Sequence, residues 1–488
     1  MKSVFLFFAA CLLSVAGSHT PASAGWTVVN LNPDGAVFSR AFGVSSGQQV
    51  GEAGFGGQYH AGLWNGTAAS WVDLDPIGSG SSGRGVSGGQ QAGYATVDAH
   101  GLPGLQEHAV LWNGSAASWV DLDPFAYPSG MSDTWSSRVY GVGGGQQVGC
   151  AYVDGFPVSS PHASLWSGTA ASWVDLHPSP GFGSSGAWGV SGGQQVGYFD
   201  GPPFWYLHAA LWSGTAASWI DLNPAWSYGS SACGVGGGQQ VGGVGLGNHR
   251  EDGNNVSHAS LWSGSAASFV DLDQGGPPPN YINRLSPYPY AWNSGAYGVS
   301  GGYQAGAQEF EQAPDEWVPH AGMWSGTAAS WVDLHTFLPS GYSESYAYGI
   351  ETSPASPGEV WVVGWAHNTS LNQQQAILWH GTNIPPPLPP LPPPPPLPVC
   401  GISNKAVYDP IMSAASAKFT FKVSGKVTVL ISGYSFTVDD GSGMPVMVVA
   451  PGLSGIQDGD YAVASGTFSG AGLSLVLHAQ PSNVVKLR

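Results

Sequence analysis

Seven copies of one pattern fill most of this chain, and the seventh copy is short of its last segment. One copy reads Gly85-Val86-Ser87-Gly88-Gly89-Gln90-Gln91-Ala92-Gly93, then His108-Ala109-Val110-Leu111-Trp112, then Trp119-Val120-Asp121-Leu122-Asp123-Pro124. The Leu-Trp step recurs at Trp64, Trp112, Trp166, Trp212, Trp262, Trp324 and Trp379, at intervals of 48, 54, 46, 50, 62 and 55 residues; at Trp324 the preceding residue is Met323. After Ile377-Leu378-Trp379-His380-Gly381-Thr382 the last copy runs into proline. Its missing segment stands at the front of the chain, as Trp26-Thr27-Val28-Val29-Asn30-Leu31-Asn32-Pro33. A unit of this length cannot bury its apolar face alone and must stack on neighbours. A linear stack would carry polar caps at both ends. A first strand that completes the last unit describes a ring.

Each unit reads as four short strands. Strand a ends in Gly-Val, strand b is Gln-Gln-Val-Gly, strand c is His-Ala-x-Leu-Trp and strand d is Trp-Val-Asp-Leu. A Gly-Gly turn joins a to b, and Asn-Gly or Ser-Gly opens the turn from c to d, both hairpin chemistry. Four strands at this period predict a propeller blade. The expected fold is therefore all-β: a seven-bladed β-propeller over residues 25–384, closed by its N-terminal strand. Composition agrees, with 74 Gly, 21 Trp and only 9% charged residues. Such a chain favours strands over helices.

The units resemble HAF repeats, an extracellular bacterial repeat family. The likeness rests on His108-Ala109-Val110-Leu111-Trp112, on Asp121-Leu122 and on the stretch from Gly141-Val142 to Gly149, and it spans about residues 26–382. Six units keep the histidine; the last has Gln375. The resemblance implies an extracellular, propeller-like module with no defined chemistry.

Residues outside the repeat suggest three further segments. Met1-Lys2, an apolar run and Ala22-Ser23-Ala24 predict a signal peptide over residues 1–24. Residues 385–399 are almost pure Pro and Leu and predict a polyproline spacer. Residues 400–488 carry strand runs at 419–430, 435–440, 446–450, 461–468 and 473–478, with turns at Asp440-Gly441-Ser442-Gly443 and Gly459-Asp460. This pattern resembles a small β-barrel of the OB type. The expected location is secreted, cell-surface or periplasmic, in a bacterial envelope. Three cysteines remain after the leader, Cys150, Cys233 and Cys400, which is no disulfide framework.

Charge narrows the partners. Residues 25–399 hold five arginines, no lysine and 25 of the 30 acidic residues. A surface this acidic repels nucleic acid and anionic headgroups. We expect no nucleic-acid partner, no membrane insertion, no cofactor and no metal, and a monomer.

The repeated His60, His108, His162, His208, His258 and His320 begin strand c. If Trp64 pairs with Trp71 across the hairpin, His60 lies opposite Asp75 or near Asp73. A His–Asp bond would then pin strand c to strand d in each blade, while the repeated Asp73, Asp121, Asp175, Asp221, Asp271 and Asp333 of strand d read as turn and strand-edge residues. Copies in separate blades cannot converge on one ion, so the reading is structural. Catalytic residues should break a repeat, whereas these define it, and no catalytic residue is assigned.

The a–b and c–d connections hardly vary in length, while b–c and d–a vary widely. The variable pair emerges on one face. Its loops are aromatic, and Trp135, Trp205, Tyr206, Tyr281, Tyr290, Trp292 and Trp317 are the candidate ligand-binding residues. Aromatic side chains on a rigid scaffold suit a glycan or an extracellular protein. The expected function is a non-enzymatic binding or scaffold protein. The competing readings are a carbohydrate-active hydrolase or lyase on the same face, which requires unrepeated carboxylates near the axis, and a purely structural envelope protein.

Overall fold

The computed structural model describes residues 25–98, 105–124, 137–153, 160–178, 183–201, 206–224, 226–227, 229–249, 255–274, 294–313, 316–353, 355–387, 399–401, 420–431, 435–439, 446–469 and 476–486. Seven four-stranded antiparallel sheets form the propeller. Blades 1 to 6 span residues 39–73, 81–121, 137–175, 185–221, 229–271 and 294–333, each with its strands in the order a-b-c-d. Blade 7 takes strands a to c from residues 342–382 and strand d from Gly25–Asn30. That last strand pairs antiparallel with Gln373–Thr382, Val28 opposite Trp379. The a strands touch in sequence around the whole circle, Tyr342–Thr352 meeting Ser39–Ser45 at the closure.

The repeated residues build this frame. Trp64, Trp112, Trp166, Trp212, Trp262, Trp324 and Trp379 have no solvent exposure. Burying so many large rings between blades supplies the main driving force for stacking, with about 3–5 kcal/mol lost for each truncated to Ala. In blades 1 to 6 a buried glutamine ties the two tight turns together: Gln49 Nε2 donates to Gly47 O at 2.8 Å and Gln49 Oε1 accepts from Gly66 N at 2.8 Å. The a–b and c–d turns share one end of the propeller, the turn face. The b–c and d–a connections share the other, the loop face.

Successive blades are stitched by a serine at the start of each strand a. Ser81 Oγ accepts from Ala61 N of the preceding blade, and Ser137, Ser185, Ser230, Ser294, Ser345 and Ser39 repeat the bond to Ala109, Ala163, Ala209, Ala259, Ala321 and Ala376. The seventh bond, Ser39 to Ala376, crosses the closure.

The C-terminal residues form a separate curled sheet. Thr420–Ile431 pairs with Ser435–Asp439, which pairs with Val446–Val449. Val446–Val449 then runs parallel to Val476–His478, which pairs with Tyr461–Ser469, and Tyr461–Ser469 returns to Thr420–Ile431. The sheet thus curls back on itself around Val423, Val427, Phe436, Val438, Val448, Ala464 and Leu477, as expected for a small barrel. Val449 and Val476 join a cluster with Phe199 and Trp219, so one edge of this domain rests on blade 4. A spacer alone would have held the two apart; buried apolar residues bring them together. Residues 388–398 of the proline run lie outside the described residues, and Pro385 accepts a hydrogen bond from Tyr303 OH near the turn face.

Candidate functional site

Every strand a carries a β-bulge at the same place. The pairing register slips between Ala41 and Gly43, Gly83 and Gly85, Val139 and Gly141, Ala187 and Gly189, Ala232 and Gly234, Ala296 and Gly298, and Ala347 and Gly349. The Gly of Gln-Gln-Val-Gly makes room for it. A Cβ at Gly51, Gly149 or Gly197 would be driven into the carbonyl oxygen of Arg40, Arg138 or Gly186. A bulge leaves one residue unpaired and re-aims its side chain. Those residues are Phe42, Arg84, Tyr140, Trp188, Cys233, Tyr297 and Tyr348.

The glycine after each bulge locates them. A Cβ on Gly43 would lie 3.4 Å from Gly85 Cα, and the same near-contact passes from Gly85 to Gly141, Gly189, Gly234 and Gly298, while Gly349 returns to Gly43 at 3.1 Å. Seven glycines therefore circle the axis as a narrow neck. The bulge residues form the next ring toward the loop face. Each is half-buried, between neighbours that are mostly buried. Rings of adjacent blades touch: Tyr297 and Tyr348 centroids are 5.2 Å apart, Phe42 and Tyr348 5.4 Å, and the Arg84 guanidinium lies 4.2 Å over Phe42.

Further side chains extend this ring into a cup opening on the loop face. Blades 1 to 3 supply Arg40, Arg84 and Arg138. Arg40 Nη1 meets Glu52 Oε1 at 3.3 Å, and Arg138 is paired with Glu107. Tyr94 lies between two guanidiniums, with Arg84 5.3 Å and Arg138 4.6 Å from its centroid. Blades 6 and 7 supply Tyr297, Tyr346, Tyr348 and Trp365, with Tyr346 stacked 5.0 Å from Trp365. Burial pushes the Tyr198 and Tyr346 phenols up to about 12 and raises those of Tyr140, Tyr297 and Tyr348. The phenols remain neutral donors. Burial likewise pushes the Cys150 and Cys233 thiols up to about 11 and about 12. Nucleophilic cysteine chemistry requires a thiolate and has no support here.

The repeated histidines behave as expected. Nδ1 of His60, His108, His162, His208, His258 and His320 meets Oδ2 of Asp73, Asp121, Asp175, Asp221, Asp271 and Asp333 at 2.8–3.0 Å. Blade 7 replaces the pair by a neutral one, Asn30 Nδ2 donating to Gln375 Oε1 at 2.9 Å. No group of three or more metal-ligating side chains occurs among the described residues.

Of the loop aromatics, Trp135, Trp205, Tyr281, Tyr290 and Trp292 lie outside the described residues. Tyr206 is exposed at the start of strand c in blade 4. Trp317 lies in strand c of blade 6, opposite Glu311. Both stand at the loop-face end of their strands. The axial cup was missed in the sequence, although a signal was present. The residue before Gly-Val or Gly-Ile takes five types over the seven units while its neighbours barely change.

No family model matches the chain, and no curated protein matches it. Three solved structures are similar in outline. The GH74 xyloglucanase from Xanthomonas campestris is 11% identical with a TM-score of 0.40, over 72% of this chain and 55% of that one. A puromycin hydrolase is 12% identical with a TM-score of 0.35, over 75% and 58%. A prolyl endopeptidase is 10% identical with a TM-score of 0.37, over 88% and 54%. The chain spans a little over half the length of each of these structures. The ring of blades described above rests on its own strand pairings.

Proposed function

We propose that this is a secreted or envelope-associated binding protein, related to HAF-repeat modules, whose loop face and axial cup take a glycan. The observation that carries this reading is the set of seven bulge residues. In a repetitive blade they take five residue types over seven copies, and all seven converge on one axis. Selection for stability explains a repeated residue; a shared site explains a varied ring of mostly aromatic ones. Aromatic walls beside polar donors suit sugar rings, which present apolar faces and hydroxyl edges. An extracellular protein is the other partner of this class, reached through the same loops. The C-terminal domain, read as an OB-like barrel, is an accessory or protein-binding unit.

The hydrolase reading asks for unrepeated carboxylates at the axis. Glu52 and Glu107 meet that condition in position and are committed to arginine ion pairs, which favours binding at their wall, while the unrepeated Glu309 and Glu344 beside Tyr346 are the carboxylates on which the hydrolase reading rests.

The test is a glycan-array screen of the full chain beside a Trp188→Ala/Tyr348→Ala variant. Binding that is lost in the variant supports the cup as the site. Retained binding moves the site to the outer loops, and turnover of a bound glycan restores the hydrolase reading.

A further inference from the structure

The cup has two unlike walls. Blades 1 to 3 present three guanidiniums, Arg40, Arg84 and Arg138, against two carboxylates, Glu52 and Glu107. Next in the ring, from the closure beside blade 1, blades 7 and 6 present phenols and an indole. The propeller as a whole is strongly acidic, with five arginines over residues 25–399. Three of those five stand in this one cup, among Glu52, Glu107, Glu309 and Glu344.

Arg84 is the least tightly paired of the three cations, with its guanidinium 4.2 Å over Phe42. Arg40 shares Glu52, and Arg138 holds Glu107. Arg84 Nη2 donates to Tyr94 OH at 2.8 Å and stands 3.9 Å from Glu52 Oε2, a distance beyond hydrogen bonding. Its Nε is buried and finds no acceptor. A buried guanidinium N–H without a partner is rare, because its desolvation is then uncompensated. The side chain as a whole is 27% exposed. A planar fork of this kind recognises carboxylates in pairs of parallel hydrogen bonds.

Resting on the glycan reading above, we infer that the cup selects an acidic sugar, a hexuronate whose carboxylate sits on Arg84 and whose ring lies against the half-buried Tyr346 and Tyr348. The two walls divide the work. The guanidinium wall takes the charge. The phenol wall offers neutral donors: burial raises the Tyr346 pKa, and Tyr348, Glu309 and Glu344 add to the rise. Carboxylates beside phenols suit sugar hydroxyls and repel a second anion, which orients the ligand.

The experiment is calorimetric titration of the full chain with three tetrasaccharides: oligogalacturonate, its methyl ester, and a sulfated galactan of equal length. The expected result is oligogalacturonate binding at least about tenfold tighter than the ester, equal to about 1.4 kcal/mol. Arg84→Gln should bring acid and ester to equal affinity. Equal affinity for acid and ester overturns the inference and leaves the glycan reading standing. Preference for the sulfated galactan over the uronate also overturns it. No binding by any of the three overturns the uronate inference, and the array screen then decides the glycan reading separately. Should Arg84→Gln fail to fold, the comparison of acid with ester on the unaltered protein remains decisive.

Discussion

Blades 5 and 6 bond their strand c histidines to the strand d aspartate alike, and differ in the second group each histidine meets. In blade 5, His258 is almost wholly buried, bonded to Asp271 at 2.9 Å, with the buried Asp273 as a second carboxylate. Desolvation works against its charge, but the two carboxylates outweigh it and raise its pKa. In blade 6, position 335 is a histidine where blade 5 has Asp273. His335 stacks on His320 with centroids 4.0 Å apart, and burial together with His320 lowers the His335 pKa to about 4. Blade 2 follows blade 5 with His108 between Asp121 and Asp123, and blade 3 stacks His162 on His177 as in blade 6. One residue, two beyond the strand d acid, decides whether the histidine gains a second carboxylate or a stacked imidazole. The strand pairings are the same in both.

The largest break in this comparison should come from His258→Ala. It takes the cation from the buried Asp273 as well as from the partly exposed Asp271, which costs about 3–5 kcal/mol. His320→Ala strands one carboxylate that is partly exposed, and its cost should fall nearer 1–2 kcal/mol. Denaturant unfolding of the two variants measures the difference, and equal losses would contradict the two-strut account.

Acid should separate the blades next. His335 is held neutral with a folded pKa of about 4, below that of the unfolded chain. As pH falls from about 6.5 toward 4, the unfolded state binds a proton that the fold refuses, and stability declines. For His258 and His108 the sign is reversed: their raised pKa values contribute stability that is complete at low pH and fades as pH rises through the folded values. His335→Asn copies blade 4, where Asn223 Oδ1 accepts from Ser230 Oγ at 2.6 Å. It should flatten the acid side of the stability profile, as read from unfolding midpoints between pH 7 and 4.5.

A smaller contrast lies in the inter-blade serines. Ser294 Oγ donates to Asp273 at 2.6 Å, whereas Ser345 Oγ meets the neutral His335 Nδ1 at 2.8 Å. Ser294→Ala should cost about 1.5–3 kcal/mol and Ser345→Ala about 1 kcal/mol, since hydrogen bonds to charge are the stronger. Thermal melts of both variants check the order. At the bulge the comparison should vanish. Cys233→Ala removes no repeated contact and should shift stability by about 1 kcal/mol or less, which the same melts would reveal.

The frame was legible in the sequence because its residues recur at fixed offsets. Seven buried tryptophans, six His–Asp struts and the borrowed outer strand were all read from repetition. The Asn30–Gln375 pair shows how well it could be read: both partners change in the one blade that departs from the pattern. The cup was less legible for the same reason. Repetition draws attention to what stays the same, and Phe42, Arg84 and Trp188 occupy a position that varies. Their convergence depends on the bulge, and the bulge depends on a strand b glycine whose role is steric. The serine at the start of strand a was missed too, although it lies five residues before the Val or Ile in all seven units.

The borrowed strand also sets the order of assembly. Thr27 and His380, partners across the closure, are 353 residues apart in the chain. The first strand to be synthesised must wait for nearly the whole propeller before its partner exists. Until then blade 7 has no outer edge and Gly25–Asn30 has no sheet, so both present open backbone to any other strand. Loop-closure entropy grows only slowly with length, so the final pairing costs little more than a shorter one would. Its price is time, during which the unfinished ring is most exposed to mispairing.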